Sequence, residues 1–141
     1  GTPVLQQLVR GSVSAGITFN GDYLFFKSED PEGFADIEFV IPEQGAEVWV
    51  DNMMIPAEAP NAALAHAFID YILRPEVGAQ LSNWNYYSSP NEAAIPLLED
   101  ILQEPPITPT AEELEVLAFT PSLEGEDLQF LQQLWREVES R

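Results

Sequence analysis

Trp49 and Asp51 stand two residues apart in the run Glu47-Val48-Trp49-Val50-Asp51. In extended chain, residues i and i+2 point the same way. An indole and a carboxylate would then share one face, with Val48 and Val50 on the other. That pairing suits an alkylammonium, which a carboxylate neutralises and a ring face attracts, a contact worth about 2 kcal/mol when desolvated. A unit charge pair about 4 Å apart adds on the order of 4 kcal/mol at an effective dielectric near 20. The plainer alternative is a half-buried strand with Trp49 in a core and Asp51 in water. Phe19-Asn20-Gly21-Asp22 is a second candidate. A strand end followed by a glycine turn is where α/β sheets expose ligand groups. Phe19 could cover a methylene chain and Asp22 could pair an ammonium; alternatively Asp22 caps a helix. Tyr86-Tyr87-Ser88-Ser89-Pro90-Asn91 is the third, a polar loop whose tyrosines line a cleft or pack on the surface, with Asn91 free to cap the next helix.

Other chemistry is poorly supported. His66 is the sole histidine, and no metal partner or nucleophile stands at helical spacing from it. Ser88 and Ser89 lack the Gly-x-Ser-x-Gly context of a hydrolase elbow. The acidic clusters do not follow a calcium-loop pattern. No glycine-rich phosphate loop appears, and Glu112, Glu113 and Glu115 read as a solvated helix face. No catalytic residue, metal site or cofactor is expected.

These residues need elements to position them. Residues 4–10 read as a short helix stopped by Gly11. Val13, Ala15, Ile17 and Phe19 alternate with small or polar residues, which predicts a strand ended by Asn20-Gly21-Asp22. Tyr23 to Phe26 fits a helical turn or a strand. Ile37, Phe39 and Ile41 predict a second strand, and Glu47 to Ile55 a third. Asn61 should cap a helix through Leu73. Pro75 should open the next, with Val77, Leu81 and Trp84 as its apolar side. Glu92 to Leu102 is helical but disturbed by Pro96, and residues 104–109 read as a rigid linker. Thr110-Ala111-Glu112-Glu113 is a capping-box pattern. A last helix runs from about Glu126 to Val138. Strands first and helices later suggest an α/β or α+β unit.

Composition bounds the function. The 141 residues carry 24 Asp plus Glu against 5 Lys plus Arg, a net charge of −19. No basic stripe exists to neutralise phosphates, which argues against nucleic acid as a partner. An acidic surface draws cations instead. With 45% hydrophobic residues the chain can build a core rather than remain an acidic tail. Cysteine is absent, which removes disulfides and thiolate chemistry. No apolar run reaches the length of a membrane span. The opening Gly1-Thr2-Pro3 reads as a start in mid-protein, with any targeting segment upstream.

The order of several segments resembles the C-terminal part of the periplasmic spermidine/putrescine-binding proteins of ABC transporters. These segments are Arg10-Gly11-Ser12-Val13 leading to Phe19-Asn20-Gly21-Asp22, and Ile41-Pro42-Glu43-Gln44-Gly45 leading to Trp49-Val50-Asp51. Leu73-Arg74-Pro75-Glu76 and Tyr87-Ser88-Ser89-Pro90-Asn91 follow in register. The resemblance implies an α/β, type II periplasmic-binding-protein-like fold, present here in part, whose two lobes close on a ligand. Residues 1–46 would belong to the second lobe, 47–96 would cross to the first, and 97–141 would return to the second. Phe19, Asp22, Trp49, Asp51 and Tyr87 would bind a polyamine. An acid at Asp22 looks like the putrescine-type members. Spermidine-type members have a Gln near the segment Thr120-Pro121, and it is absent here. Family members usually carry Trp where this chain has Phe19. The implied partners are the polyamine and an ABC transporter permease in the periplasm, with no enzymatic activity. A missing N-terminal fragment or a swapped partner chain would complete the cleft. Two alternatives stay open: the same fold holding another small solute, or an acidic module that binds a basic protein.

Overall fold

The computed structural model describes residues 2–140; Gly1 and Arg141, the ends of the first and last expected segments, lie outside the described residues. Six α-helices, two 3-10 turns and one two-residue strand pair follow one another. Helix α1 spans Thr2–Val9 and α2 spans Asn20–Glu29. Strand β1 is Ala46–Glu47. Helices α3 (Ala62–Ile72) and α4 (Pro75–Asn85) come next. The 3-10 turns are Glu92–Leu97 and Asp100–Leu102. Helix α5 (Ala111–Val116), strand β2 (Leu117–Ala118) and helix α6 (Gly125–Glu139) close the chain.

The helices form for the reasons their sequences advertise. Pro75 stands at the first position of α4, where a missing N–H costs nothing. Thr110 and Glu113 make the reciprocal capping box of α5, at 3.1 and 2.7 Å. Asn61 stands at the N-cap of α3 but its side chain makes no capping bond. Pro96 lies inside the first 3-10 turn, where it lacks the N–H that an α-helix would need there.

The expected strands are corrected. Residues 13–19, with a bend at Ser14, and 37–41 form no strand and pair with nothing among the described residues. The third expected strand shrinks to β1, which pairs in parallel with β2 in the register Ala46↔Leu117 and Glu47↔Ala118. One more ladder bond, Val48 N–H to Ala118 O at 3.0 Å, carries the pairing toward Trp49. Alternation reports a half-exposed extended segment, and a strand also needs a neighbour's hydrogen bonds. The segment 104–109 is no free linker either. Ile107 is buried in the core, and Glu104 O accepts bonds from the N–H groups of Ile107 and Thr108, both at 3.1 Å.

Two apolar clusters meet at α2. Leu24 packs with Ala79, Ala94, Leu98, Leu102 and Ile107. Its neighbour Tyr23 joins Leu5 and Phe34 in the second cluster. Successive helix residues point about 100° apart, so α2 is wedged between both clusters. Tyr23 Oη donates to Ile37 O at 2.9 Å, and Asn20 Nδ2 donates to Pro106 O at 2.9 Å. These bonds fix the N-terminal end of α2, where Phe19 and Asp22 stand.

Candidate functional site

Phe19 is the N-cap residue of α2 and Asp22 lies in its first turn. A carboxylate there is favoured by the positive end of the helix dipole. Asp22 Oδ1 accepts the Tyr87 hydroxyl at 3.1 Å, across 65 residues of sequence. The other carboxylate oxygen is left for a further donor. The Tyr87 ring lies directly on Gly21, so close that a Cβ at position 21 would overlap it.

The loop carrying Tyr87 is held from several sides. Tyr86 takes the left-handed conformation, φ 63°, at the C-cap of α4. Asn85 Oδ1 accepts the Tyr87 backbone N–H at 3.0 Å. The Thr108 hydroxyl donates to Leu102 O at 2.7 Å, which leaves Ser88 Oγ to donate to Thr108 Oγ1 at 3.2 Å. Asn91 caps the following 3-10 turn through Ala93 N–H and ties back to Leu73 O at 2.8 Å. Phenol and carboxylate are therefore preset relative to each other before any ligand arrives.

Trp49 stands two residues past β1, outside any strand. Its ring meets that of Phe19 edge to face, with centroids 5.0 Å apart and planes at 65°. Such a pair stabilises by about 0.5–1.5 kcal/mol beyond its buried area. Both rings keep close to half their surface in solvent, 48% for Phe19 and 41% for Trp49. Asp51 is exposed as well.

The Tyr87 hydroxyl reports the charge around it. Burial first, and next the Asp22 carboxylate, which repels a phenolate and accepts the phenol proton, together push its pKa up to about 12. The Asp51 carboxylate pushes in the same direction, which brings it within electrostatic reach of the phenol. The backbone N–H of Asp22 pulls the opposite way and is outweighed.

Of the five residues singled out from sequence, the structure joins Phe19 to Trp49 and Tyr87 to Asp22, and the Asp51 charge acts on Tyr87. Together they offer two carboxylates, exposed aromatic rings and a phenol that donates to one of the carboxylates. They can hold cations and cover methylene groups. Among the described residues no group of three His, Cys, Asp or Glu could hold a metal ion. His66 is exposed in the middle of α3, away from these residues in sequence and element. The Asp22–Tyr87 bond, the Gly21 seat and the Asn85 and Thr108 supports were not foreseen. No linear spacing signals the Asp22–Tyr87 bond, the Gly21 seat or the Thr108 support, because each joins segments far apart in the chain, whereas the Asn85 bond to Tyr87 N–H is a local turn of the kind Asn favours.

A family model described as "Bacterial extracellular solute-binding protein" matches residues 4–111. The chain belongs to that family. Among curated relatives, the putrescine/agmatine-binding protein of Pseudomonas aeruginosa PAO1 is 46% identical over half of this chain and 19% of its own length. The putrescine-binding periplasmic protein SpuD of P. aeruginosa UCBPP-PA14 is 28% identical over 96% of this chain and 38% of its own length. The spermidine/putrescine-binding periplasmic protein 1 of Haemophilus influenzae is 31% identical over 94% of this chain and 36% of its own length. The chain therefore spans well under half of each solute-binding relative it matches. No helix among the described residues is long and apolar enough to cross a membrane.

Proposed function

We propose that this chain is the C-terminal part of a periplasmic polyamine receptor, non-enzymatic, that passes its ligand to an ABC transporter permease. The observation that supports the reading is the Asp22–Tyr87 bond beside the Phe19–Trp49 ring pair, with the Asp51 charge acting on Tyr87, in a strongly acidic chain. A diamine has a cation at each end and methylenes between. Asp51 pairs one ammonium and Asp22 the other, while Trp49 and Phe19 cover the chain. Tyr87 keeps its proton at neutral pH and so adds no third charge. Two anionic centres suit a diamine, and the ligand is putrescine-like more than spermidine-like. The names of the relatives support this choice of solute.

In this reading the fold is type II periplasmic-binding-protein-like. Residues 1–46 and 97–141 belong to the second lobe and 47–96 to the first. The remaining length that the relatives possess, or a swapped partner chain, completes the cleft. Calorimetric titration of putrescine into the full-length protein tests the function. The account expects saturable binding, and Asp51→Asn should weaken it roughly 10- to 150-fold, the range for losing a hydrogen bond to a charged group. Unchanged affinity in Asp51→Asn would remove Asp51 from the site. Agmatine is the informative second ligand, since one relative's name includes it and a guanidinium also suits a carboxylate.

A further inference from the structure

We propose that Gly21 is a positioning residue: its missing side chain provides the seat on which the Tyr87 ring lies, and so aims the Tyr87 hydroxyl at Asp22. The inference rests on the amine-binding reading above and adds a residue to it. Gly21 is buried in the first turn of α2. Its backbone is not in the left-handed region, unlike Gly11, Gly45 and Gly125. The main chain at this position would therefore accept an L side chain, and helix propensity alone favours alanine there. What stands in the way is Tyr87, whose Cε2, Cζ and Cδ2 atoms occupy the place of a Cβ.

Something must shift if a methyl group is added. The backbone around Tyr87 is anchored through Asn85 and through the Ser88–Thr108 contact. Asn20 ties the start of α2 to Pro106. The ring is then the free part, and it would carry the hydroxyl away from Asp22. With the seat intact, the single phenol proton goes to Asp22 Oδ1. The phenol oxygen's lone pairs and the second carboxylate oxygen are then left to accept from one ammonium. Without the seat the two acceptors separate.

The test uses full-length protein with labelled tyrosines, compared as wild type, Gly21→Ala, Tyr87→Ala and the double variant. Two readouts are taken. The first is Tyr87 ionisation at pH 11, followed by its ring-carbon chemical shift. A tyrosine of ordinary pKa is about nine-tenths ionised there, and one near 12 about one-tenth. The expectation is a mostly protonated Tyr87 in wild type and a clearly larger ionised fraction in Gly21→Ala, where the Asp22 contribution is lost, with other core resonances retained. The second readout is putrescine affinity. Gly21→Ala should weaken it at least about tenfold beside Tyr87, and less than about twofold in the Tyr87→Ala background, since only a lost contact couples the two sites. A Tyr87 no more ionised in Gly21→Ala than in wild type, or an equal loss in both backgrounds, overturns the proposal. If wild type binds no diamine, the functional reading fails, and the ionisation of Tyr87 decides the role of Gly21 alone.

Discussion

At the scale of single residues, the Asp22–Tyr87 pair sets the character of the site. Its phenol has a pKa raised from 10.0 to about 12 by burial first and by Asp22 next. The protonated form is thus favoured in the folded state. Below pH 10 both folded and unfolded chains hold the proton and the full stability is present. Between about pH 10 and 12 the unfolded chain releases it first, so stability is lost as pH rises through that window. Denaturant melts across that range should show the decline, and Tyr87→Phe should flatten it. An equal decline in Tyr87→Phe would mean that other groups carry it. The five candidate residues stand out in the sequence because their types are unusual in their settings: a Trp two places from an Asp, an aromatic before Asn-Gly-Asp. Their pairings do not. Asp22 could equally have capped its helix, and only the fold reveals that it accepts from a tyrosine 65 residues away.

At the scale of elements, strands are poorly legible and most helices are legible. The exception is α2: Asn20-Gly21-Asp22 reads as a strand break and Tyr23 to Phe26 as a helical turn or a strand, yet one helix runs Asn20–Glu29. Helix signals are local: Pro75 at a first position, Thr110 with Glu113, apolar residues three and four apart. Removing the Thr110 hydroxyl leaves the N–H of Glu113 without its cap, and Thr110→Ala should cost about 1 kcal/mol in a chemical melt. Strand signals are half local, since the ladder comes from elsewhere. Residues 13–19 and 37–41 show the alternation and lack the partner among the described residues. Glycines separate the two kinds of element. Gly45 has φ 108°, and a Cβ there would stand 2.6 Å from Val116 O beside the β1–β2 pair. Gly45→Ala should destabilise by about 1–3 kcal/mol. Gly78 lies inside α4 with ordinary clearance, its nearest neighbour being Ile72 O at 3.6 Å from a Cβ. Gly78→Ala should instead stabilise by about 0.5–1 kcal/mol. Thermal melts of the two variants should therefore move in opposite directions.

At the scale of the whole molecule, the chain is strongly anionic and incompletely covered. Neither α3 nor α6 contains a buried residue, and Leu64, Phe68, Trp84 and Trp135 are more than half exposed. The relatives are two and a half to five times longer than the part matched here. A net charge of −19 attracts cations at long range, an attraction that salt screens. The central claim is narrower: two carboxylates, Asp22 and Asp51, each take one end of a diamine. The most direct measurement is calorimetric titration of putrescine and of butylamine into full-length wild type, Asp22→Asn and Asp51→Asn. Putrescine should bind far more tightly than butylamine and lose roughly tenfold or more in either variant. Butylamine, with one charge to place, should be sensitive to at most one of the two. Putrescine affinity that ignores both substitutions, or no advantage of the diamine over the monoamine, would contradict the account.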